Sequence, residues 1–166
     1  IVMIDESKYI TIIEKKSNQG LAQYYRTLMK RYVDSEGSVQ SKDLEAVIGI
    51  IKIEWMKRLE EGDQEGFPDE GLMSTMGYRV GDTQGIKASH RRMIMKEILE
   101  GPIPFVGSPS YMREWGSDGS IERYNKMKRF LTSEIKMPVQ KNNYRAISEW
   151  KEDLQWLEEV GIDYIK

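Results

Sequence analysis

Apolar side chains recur at intervals of three and four residues along most of the chain, which is the period of an amphipathic helix. In the first such segment Leu21, Tyr25 and Leu28 share one face, whereas Arg26 and Lys30 lie on the other. The pattern predicts five main helices, at about 21–33, 41–61, 86–100, 121–137 and 143–160, with one or two short helices between them. The second helix has the broadest apolar surface, so we expect it to be central to the core.

Prolines and glycines divide these segments. Three prolines fall within the linker 101–109, where each lacks a backbone donor and disfavours the helical conformation of its neighbour. Ser120 is a suitable N-cap for the fourth helix, and Pro138 would end it. The linker is therefore expected to be non-helical, with one short helix between Pro109 and Trp115.

The N-terminal segment has a different pattern. β-Branched residues are concentrated at Ile10–Ile13, which predicts an extended arm or a short strand over residues 1–17. Residues 18–166 are expected to form a single helical domain. The predicted fold class is therefore all-α, a compact irregular helical bundle of about five main helices with an extended N-terminal arm or short strand.

Composition narrows the chemistry. The chain has no cysteine and a single histidine, His90, so thiolate sites and multi-histidine metal sites are excluded. Because no set of catalytic residues is recognisable, we expect a protein that is not an enzyme and needs no cofactor or metal. The absence of cysteine and of a long apolar run favours a cytoplasmic protein that does not enter a membrane.

Charge is distributed unevenly along the chain. The net charge is −2, but residues 86–145 contain 12 basic and 6 acidic side chains. Basic side chains on helices bind the phosphates of nucleic acids, and local charge matters more for this than total charge. The candidate nucleic-acid contacts on the two basic helices are Lys87, Arg91, Arg92, Lys96, Arg123, Lys126 and Arg129. All are expected to project outward; a solvated face paired with acidic neighbours is the competing interpretation.

Other patterns are weaker. The segment from Trp115 to Ser120 could be the turn of a helix-turn-helix, with Arg123 and Asn125 near the start of a recognition helix, although simple antiparallel packing explains it as well. His90 could pair with an acid, but packing is the commoner role of a lone histidine. Acidic residues at 60–65 and 69–70 could bind Mg²⁺, but a solvated loop fits their spacing better.

Trp156 lies off the apolar stripe of the last helix. It is expected to be exposed beside acidic residues, and an exposed tryptophan is a common anchor at protein interfaces. Trp156 is therefore a candidate partner-binding residue.

The run PFVGSPSYMREWGSDGSIERYNKMKRF, followed by AISEWKEDLQWL, resembles sequences of small bacterial proteins and domains, some of which are encoded beside nuclease or helicase genes. The resemblance covers about the second half of the chain and implies a bacterial, DNA-associated role.

These observations favour a non-catalytic accessory protein. It would contact DNA or RNA, or a larger nucleic-acid-processing complex, through its basic helix faces. The alternative is a pure protein–protein interaction module that docks through its C-terminal helix.

Overall fold

The structure is a computed structural model of the 166-residue chain, and it describes residues 5–35, 37–61 and 71–166. Within these ranges every regular element is a helix, which confirms the all-α class for the described part of the chain. The helices are α1 (Glu6–Glu14), α2 (Asn18–Asp34), α3 (Val39–Glu61), α4 (Leu72–Thr75), α5 (Ala88–Glu100), α6 (Pro109–Trp115), α7 (Ile121–Lys136) and α8 (Tyr144–Glu159). Short 3₁₀ turns follow at Pro138–Gln140 and Gly161–Tyr164.

The extended arm predicted at the N-terminus is wrong over α1. The Asp5 side chain accepts a hydrogen bond from the backbone N–H of Lys8 at 3.3 Å and thereby caps the helix. Ile13 is fully buried, and α1 packs against α3. Capping and tertiary burial outweigh the β preference of the isoleucines, since propensity is readily overridden by packing. Residues 1–4 lie outside the described residues.

Residue contacts group the chain into two compact units. The first contains the chain up to Met76 together with Pro102–Ser108, and the second contains Gly77–Gly101 and Pro109–Lys166. Because α1 packs with the first unit, residues 6–14 are not set apart from the helices that follow. The single domain predicted for residues 18–166 stays a prediction.

In the first unit, α2 and α1 both pack on α3. Leu21, Tyr25 and Leu28 of α2 are buried, as are Ile51 and Trp55 of α3. The rings of Tyr25 and Trp55 lie 4.8 Å apart. α3, at 23 residues the longest helix in the described part of the chain, thus supplies buried side chains to the core of this unit.

Arg58 joins the three long elements of the first unit. Its guanidinium donates to the carbonyl oxygen of Lys16 at 2.7 Å, to that of Ile13 at 3.3 Å and to Asn18 Oδ1 at 2.8 Å. Its Nε donates to Glu54 Oε1 at 2.9 Å, and Glu54 is itself only 9% exposed. Arg58 thus adds donors to carbonyl oxygens at and just after the end of α1, and its positive charge suits that end of the helix dipole.

In the second unit, α7 packs along α8, while α5 contacts both and α6 lies against α7. The core contains Ile94 and Ile98 of α5, Met127 and Leu131 of α7, and Leu157 of α8, together with further buried residues. Ser120 caps α7 by accepting from the N–H of Arg123 at 3.4 Å. The helix ends at Lys136, directly before Met137 and Pro138, as Pro138 predicts.

The junction held by Arg58 gives a stability prediction. Arg58→Met should lower the free energy of unfolding by about 3 kcal/mol, because the Glu54 carboxylate and the Lys16 carbonyl lose the donors that Arg58 supplies in a part-buried site. Chemical denaturation followed by circular dichroism measures the change. Lys57→Met is the matched control and should cost about 0.5 kcal/mol or less, since the ion pair of Lys57 with Glu14, among the described residues, is an exposed one at 4.0 Å. Equal effects of the two substitutions would contradict the role of Arg58.

Candidate nucleic-acid interface

Arg91 was predicted to project outward from α5, and this prediction is wrong. Only 2% of Arg91 is exposed. Its Nε lies 2.8 Å from Asp153 Oδ2, and its Nη1 lies 2.8 Å from Glu149 Oε2 and donates to the carbonyl oxygen of Ile86 at the same distance. The side chain therefore ties α5 to α8 and to the segment preceding α5, and it is enclosed rather than presented to a ligand.

The acids that hold Arg91 have further donors. The Tyr78 hydroxyl donates to Asp153 Oδ2 at 2.5 Å, and the N–H of Gly81 donates to Glu149 Oε1 at 2.8 Å. Asp153 is fully buried and Tyr78 is 5% exposed. These bonds attach the turn that begins at Gly77 to the inner face of α8.

Burial controls the ionisation of this cluster. It raises the pKa of Tyr78 far above its usual value, and the neighbouring Asp153 carboxylate acts in the same direction. Burial also raises the pKa of Asp153, against the bonds from Arg91 and Tyr78. For Arg91 burial acts to lower the pKa, but the carboxylates of Asp153 and Glu149 outweigh it, so the pKa is raised. Tyr78, Arg91, Glu149 and Asp153 thus form hydrogen bonds or ion pairs within the cluster, which is the arrangement of a structural polar core.

Arg123 is the second cation that the structure removes from the surface. It is 2% exposed, and its guanidinium donates to the carbonyl oxygens of Ile98, at 2.8 Å, and Gly101. Its Nη2 lies 2.7 Å from Asp118 Oδ1. Burial lowers the pKa of Arg123, and Asp118 opposes the shift. Arg123 therefore caps the C-terminal end of α5, and it cannot serve as a base-reading residue of a recognition helix.

Three other predicted contacts are partly exposed and have acidic partners. These pairs are Arg92 with Glu152 (3.2 Å), Lys96 with Glu100 (3.5 Å) and Lys126 with Glu114 (2.9 Å). Lys96 also lies 5.6 Å from the centre of the Tyr164 ring. Lys87 is exposed immediately before α5. These four cations therefore lie on or near the surface, and carboxylates partly neutralise Arg92, Lys96 and Lys126.

The outward side of α7 gathers cations that the sequence analysis did not group. The described residues around a shallow groove of about 380 Å³ are Asn125, Lys128, Arg129, Thr132 and Ser133. Lys136 is exposed one turn further along the helix. Lys128, Arg129 and Lys136 form no ion pair or hydrogen bond with the described residues. The only predicted contact among them is Arg129.

The signal for this surface was present in the spacing. Asn125, Arg129, Thr132 and Lys136 follow one another at intervals of four, three and four residues, opposite the buried Met127 and Leu131. The charge count over residues 86–145 did not separate buried from exposed cations, so it did not identify this surface.

Acidic groups near the α7 surface are few. Glu122 is exposed in the first turn of α7. A Cβ atom placed on Gly116 would lie 2.9 Å from the Cβ of Glu122, so Glu122 lies beside Gly116, at the start of the helix. Lys126 holds the pKa of Glu114 below its usual value. Burial raises the pKa of Glu134. From Lys128 to Lys136 the α7 sequence contains three cations, Lys128, Arg129 and Lys136, against one carboxylate, Glu134.

Three other candidates from the sequence were His90, Trp156 and the acidic residues between α3 and α4. His90 is buried at 8% exposure, in line with a packing role. Trp156 is partly exposed, with its ring centre 6.3 Å from that of Tyr164, and its role in partner binding stays a prediction. The acidic residues at 62–70 lie outside the described residues, and no group of three potential metal ligands occurs in the part that is described.

The buried cluster of the second unit predicts unequal roles for two adjacent arginines. Arg91→Met should lower the free energy of unfolding by about 4 kcal/mol, because it leaves buried carboxylates unpaired. Arg92→Met should cost about 0.5 kcal/mol, since its pair is exposed. Adding Asp153→Asn to Arg91→Met should restore part of the loss, because it removes the unpaired charge. Equal costs for the two single variants, measured by chemical denaturation, would show that Arg91 is not enclosed.

Tyr78 gives the cluster a dependence on alkaline pH. As the pH rises past the ordinary tyrosine value of 10.0, the unfolded chain loses the Tyr78 proton while the folded chain retains it. The unfolded state then binds fewer protons, so stability falls with rising pH by up to about 1.4 kcal/mol per unit from this group. The stability difference between the parent protein and Tyr78→Phe should therefore narrow between about pH 8 and about pH 11. Tyr144→Phe, at a residue 76% exposed, should show no such change.

No protein-family model, curated protein or solved structure matches the chain. Among the described residues, no helix is both long enough and apolar enough to cross a membrane. Function is therefore inferred from the geometry of the described residues alone.

Proposed function

We propose that this protein is a non-catalytic accessory protein that binds the phosphate backbone of nucleic acid through the outward side of α7. The observation that carries the proposal is the set of three cations, Lys128, Arg129 and Lys136, which form no ion pair or hydrogen bond with the described residues and lie on one side of a single helix. Arg129 has a weaker, longer-range attraction to Glu114. A cation already paired with a carboxylate must lose that pair to bind a phosphate. Lys128, Arg129 and Lys136 can bind a phosphate without first breaking an ion pair with the described residues.

The uncharged residues between the cations suit the same ligand. Asn125, Thr132 and Ser133 carry amide or hydroxyl groups, which donate to phosphate oxygens in protein–nucleic-acid contacts. Among the described residues that line the groove, none has an aromatic side chain for stacking on bases. Backbone contact without sequence preference is therefore the proposed mode, and it replaces the helix-turn-helix reading that depended on Arg123.

The α5 cations make a smaller contribution in this proposal. Arg92 and Lys96 have carboxylate partners at 3.2 and 3.5 Å, and these carboxylates weaken the attraction of the two cations for an anionic ligand. Lys126 is in the same position with Glu114. The bacterial source and cytoplasmic location expected from the sequence stay predictions, as does the alternative role in protein–protein docking through α8.

Binding should be strongly salt-dependent. We expect the protein to bind a fluorescently labelled 20-base-pair duplex at about 50 mM salt and to weaken as salt is added, because bound cations release counterions from the phosphates. The triple variant Lys128→Gln/Arg129→Gln/Lys136→Gln should reduce the slope of log affinity against log salt by about 2.7. Fluorescence anisotropy at several salt concentrations measures both quantities.

The matched control removes the same charge elsewhere. Lys8, Lys15 and Lys30 are exposed residues of α1 and α2 or their flanks, and changing all three to Gln should leave the slope within about one unit of the parent value. An equal loss in both triple variants would mean that only total charge matters. The absence of any binding at low salt would overturn the proposal.

A further inference from the structure

The side of α3 that faces away from its own unit carries an apolar stripe. Ile53 is 67% exposed and Met56 is 48% exposed, whereas Ile51 and Trp55 on the opposite side are buried. Ala46 and Gly49 continue the stripe towards the start of the helix, and a Cβ placed on Gly49 would have no atom within 4 Å. This surface is unusual on a helix that also supplies the core of the first unit.

The spacing of the stripe is that of a coiled-coil seam. Its members, separated alternately by four and three residues, are Lys42, Ala46, Gly49, Ile53, Met56 and Glu60. Two helices pack along such a seam when residues repeat on average every 3.5 positions. The seam spans five helical turns, or about 27 Å. It can therefore bury side chains over most of the length of α3.

The order of small and large side chains along the seam suits packing against an antiparallel α3 of a second copy. The first half carries the small residues Ala46 and Gly49, and the second half carries the large residues Ile53 and Met56. When a second α3 runs antiparallel and the two are centred near Ile51, Gly49 faces Ile53 of the other copy and Ala46 faces Met56. Each large side chain then meets a small one, which allows close packing.

Charge selects the same arrangement. Lys42 begins the seam and Glu60 ends it, so antiparallel helices bring opposite charges together at both ends, whereas parallel helices would bring like charges together. Asp43 and Lys57 flank the seam on one side and also meet across the antiparallel pair. A two-fold symmetric contact of this type uses the same surface on both copies.

We propose that α3 forms an antiparallel pair with α3 of a second copy of this chain, centred near Ile51. Ile53 and Met56 supply the apolar contact, Gly49 and Ala46 accept them, and Lys42 pairs with Glu60 of the other copy. Because one helix from each copy forms the contact, the interface is small and the dimer is expected at high protein concentration.

Sedimentation velocity of the full chain, from about 10 µM to about 1 mM, tests the proposal in the concentration range suited to a small interface. The parent protein should show reversible dimer formation. Ile53→Glu should abolish it, because a charge would be buried at the centre of the seam. Val139→Glu is the matched control at a residue 81% exposed outside α3, and it should leave the dimer intact. Circular dichroism of each variant verifies folding.

A charge exchange tests the orientation. Lys42→Glu alone and Glu60→Lys alone should each raise the dissociation constant about tenfold, because each places two like-charged pairs at the ends of the seam. The double variant Lys42→Glu/Glu60→Lys should restore the parent value. A protein that stays monomeric up to the highest concentration, or a dimer unaffected by Ile53→Glu, would overturn the proposal. Failure of the double variant to recover would overturn the antiparallel register.

Discussion

The second unit depends on one electrostatic constraint: a buried guanidinium must be surrounded by acceptors. Arg91 is 2% exposed, and its neighbours Asp153 and Glu149 come from a different helix. Leaving a charge in this interior without partners would cost several kcal/mol, so α5 and α8 can approach only in the register that brings these groups together. The bonds from Tyr78 and Gly81 then fix the preceding turn to the same carboxylates. The charge thus specifies an arrangement that apolar contacts alone would leave less defined.

Arginine has the same type of role at two other places. Arg58 donates to carbonyl oxygens at and just after the end of α1, and Arg123 donates to carbonyl oxygens at the end of α5. The planar guanidinium has five donors, so one side chain can satisfy several carbonyls where a helix ends. Arginines that look like a ligand-binding surface in a charge count therefore serve largely as connections between helices.

The helical segments could be predicted because their signals are local. The apolar period and Ser120 identify α7, and Pro138 marks where it must stop. The position of Arg91 was also recoverable, since it precedes Ile94, Met95 and Ile98 by three, four and seven residues on the buried stripe. Its partners were not, because Asp153 is 62 residues away and only tertiary structure brings them together. The strand expected near Ile13 failed for the same reason: its burial against α3 is a non-local contact.

The α7 and α3 surfaces differ in the force that would fill them. Lys128, Arg129 and Lys136 attract anions through a field that salt screens within about 10 Å at 0.1 M, whereas the stripe around Ile53 gains its free energy from removing apolar area from water. The first force therefore weakens with added salt, and the second changes little. Dimer formation would also affect ligand binding, since a dimer formed through α3 carries two α7 surfaces. On a long polyanion the second contact would become intramolecular, so a weak dimer would itself be stabilised by the ligand that both copies hold.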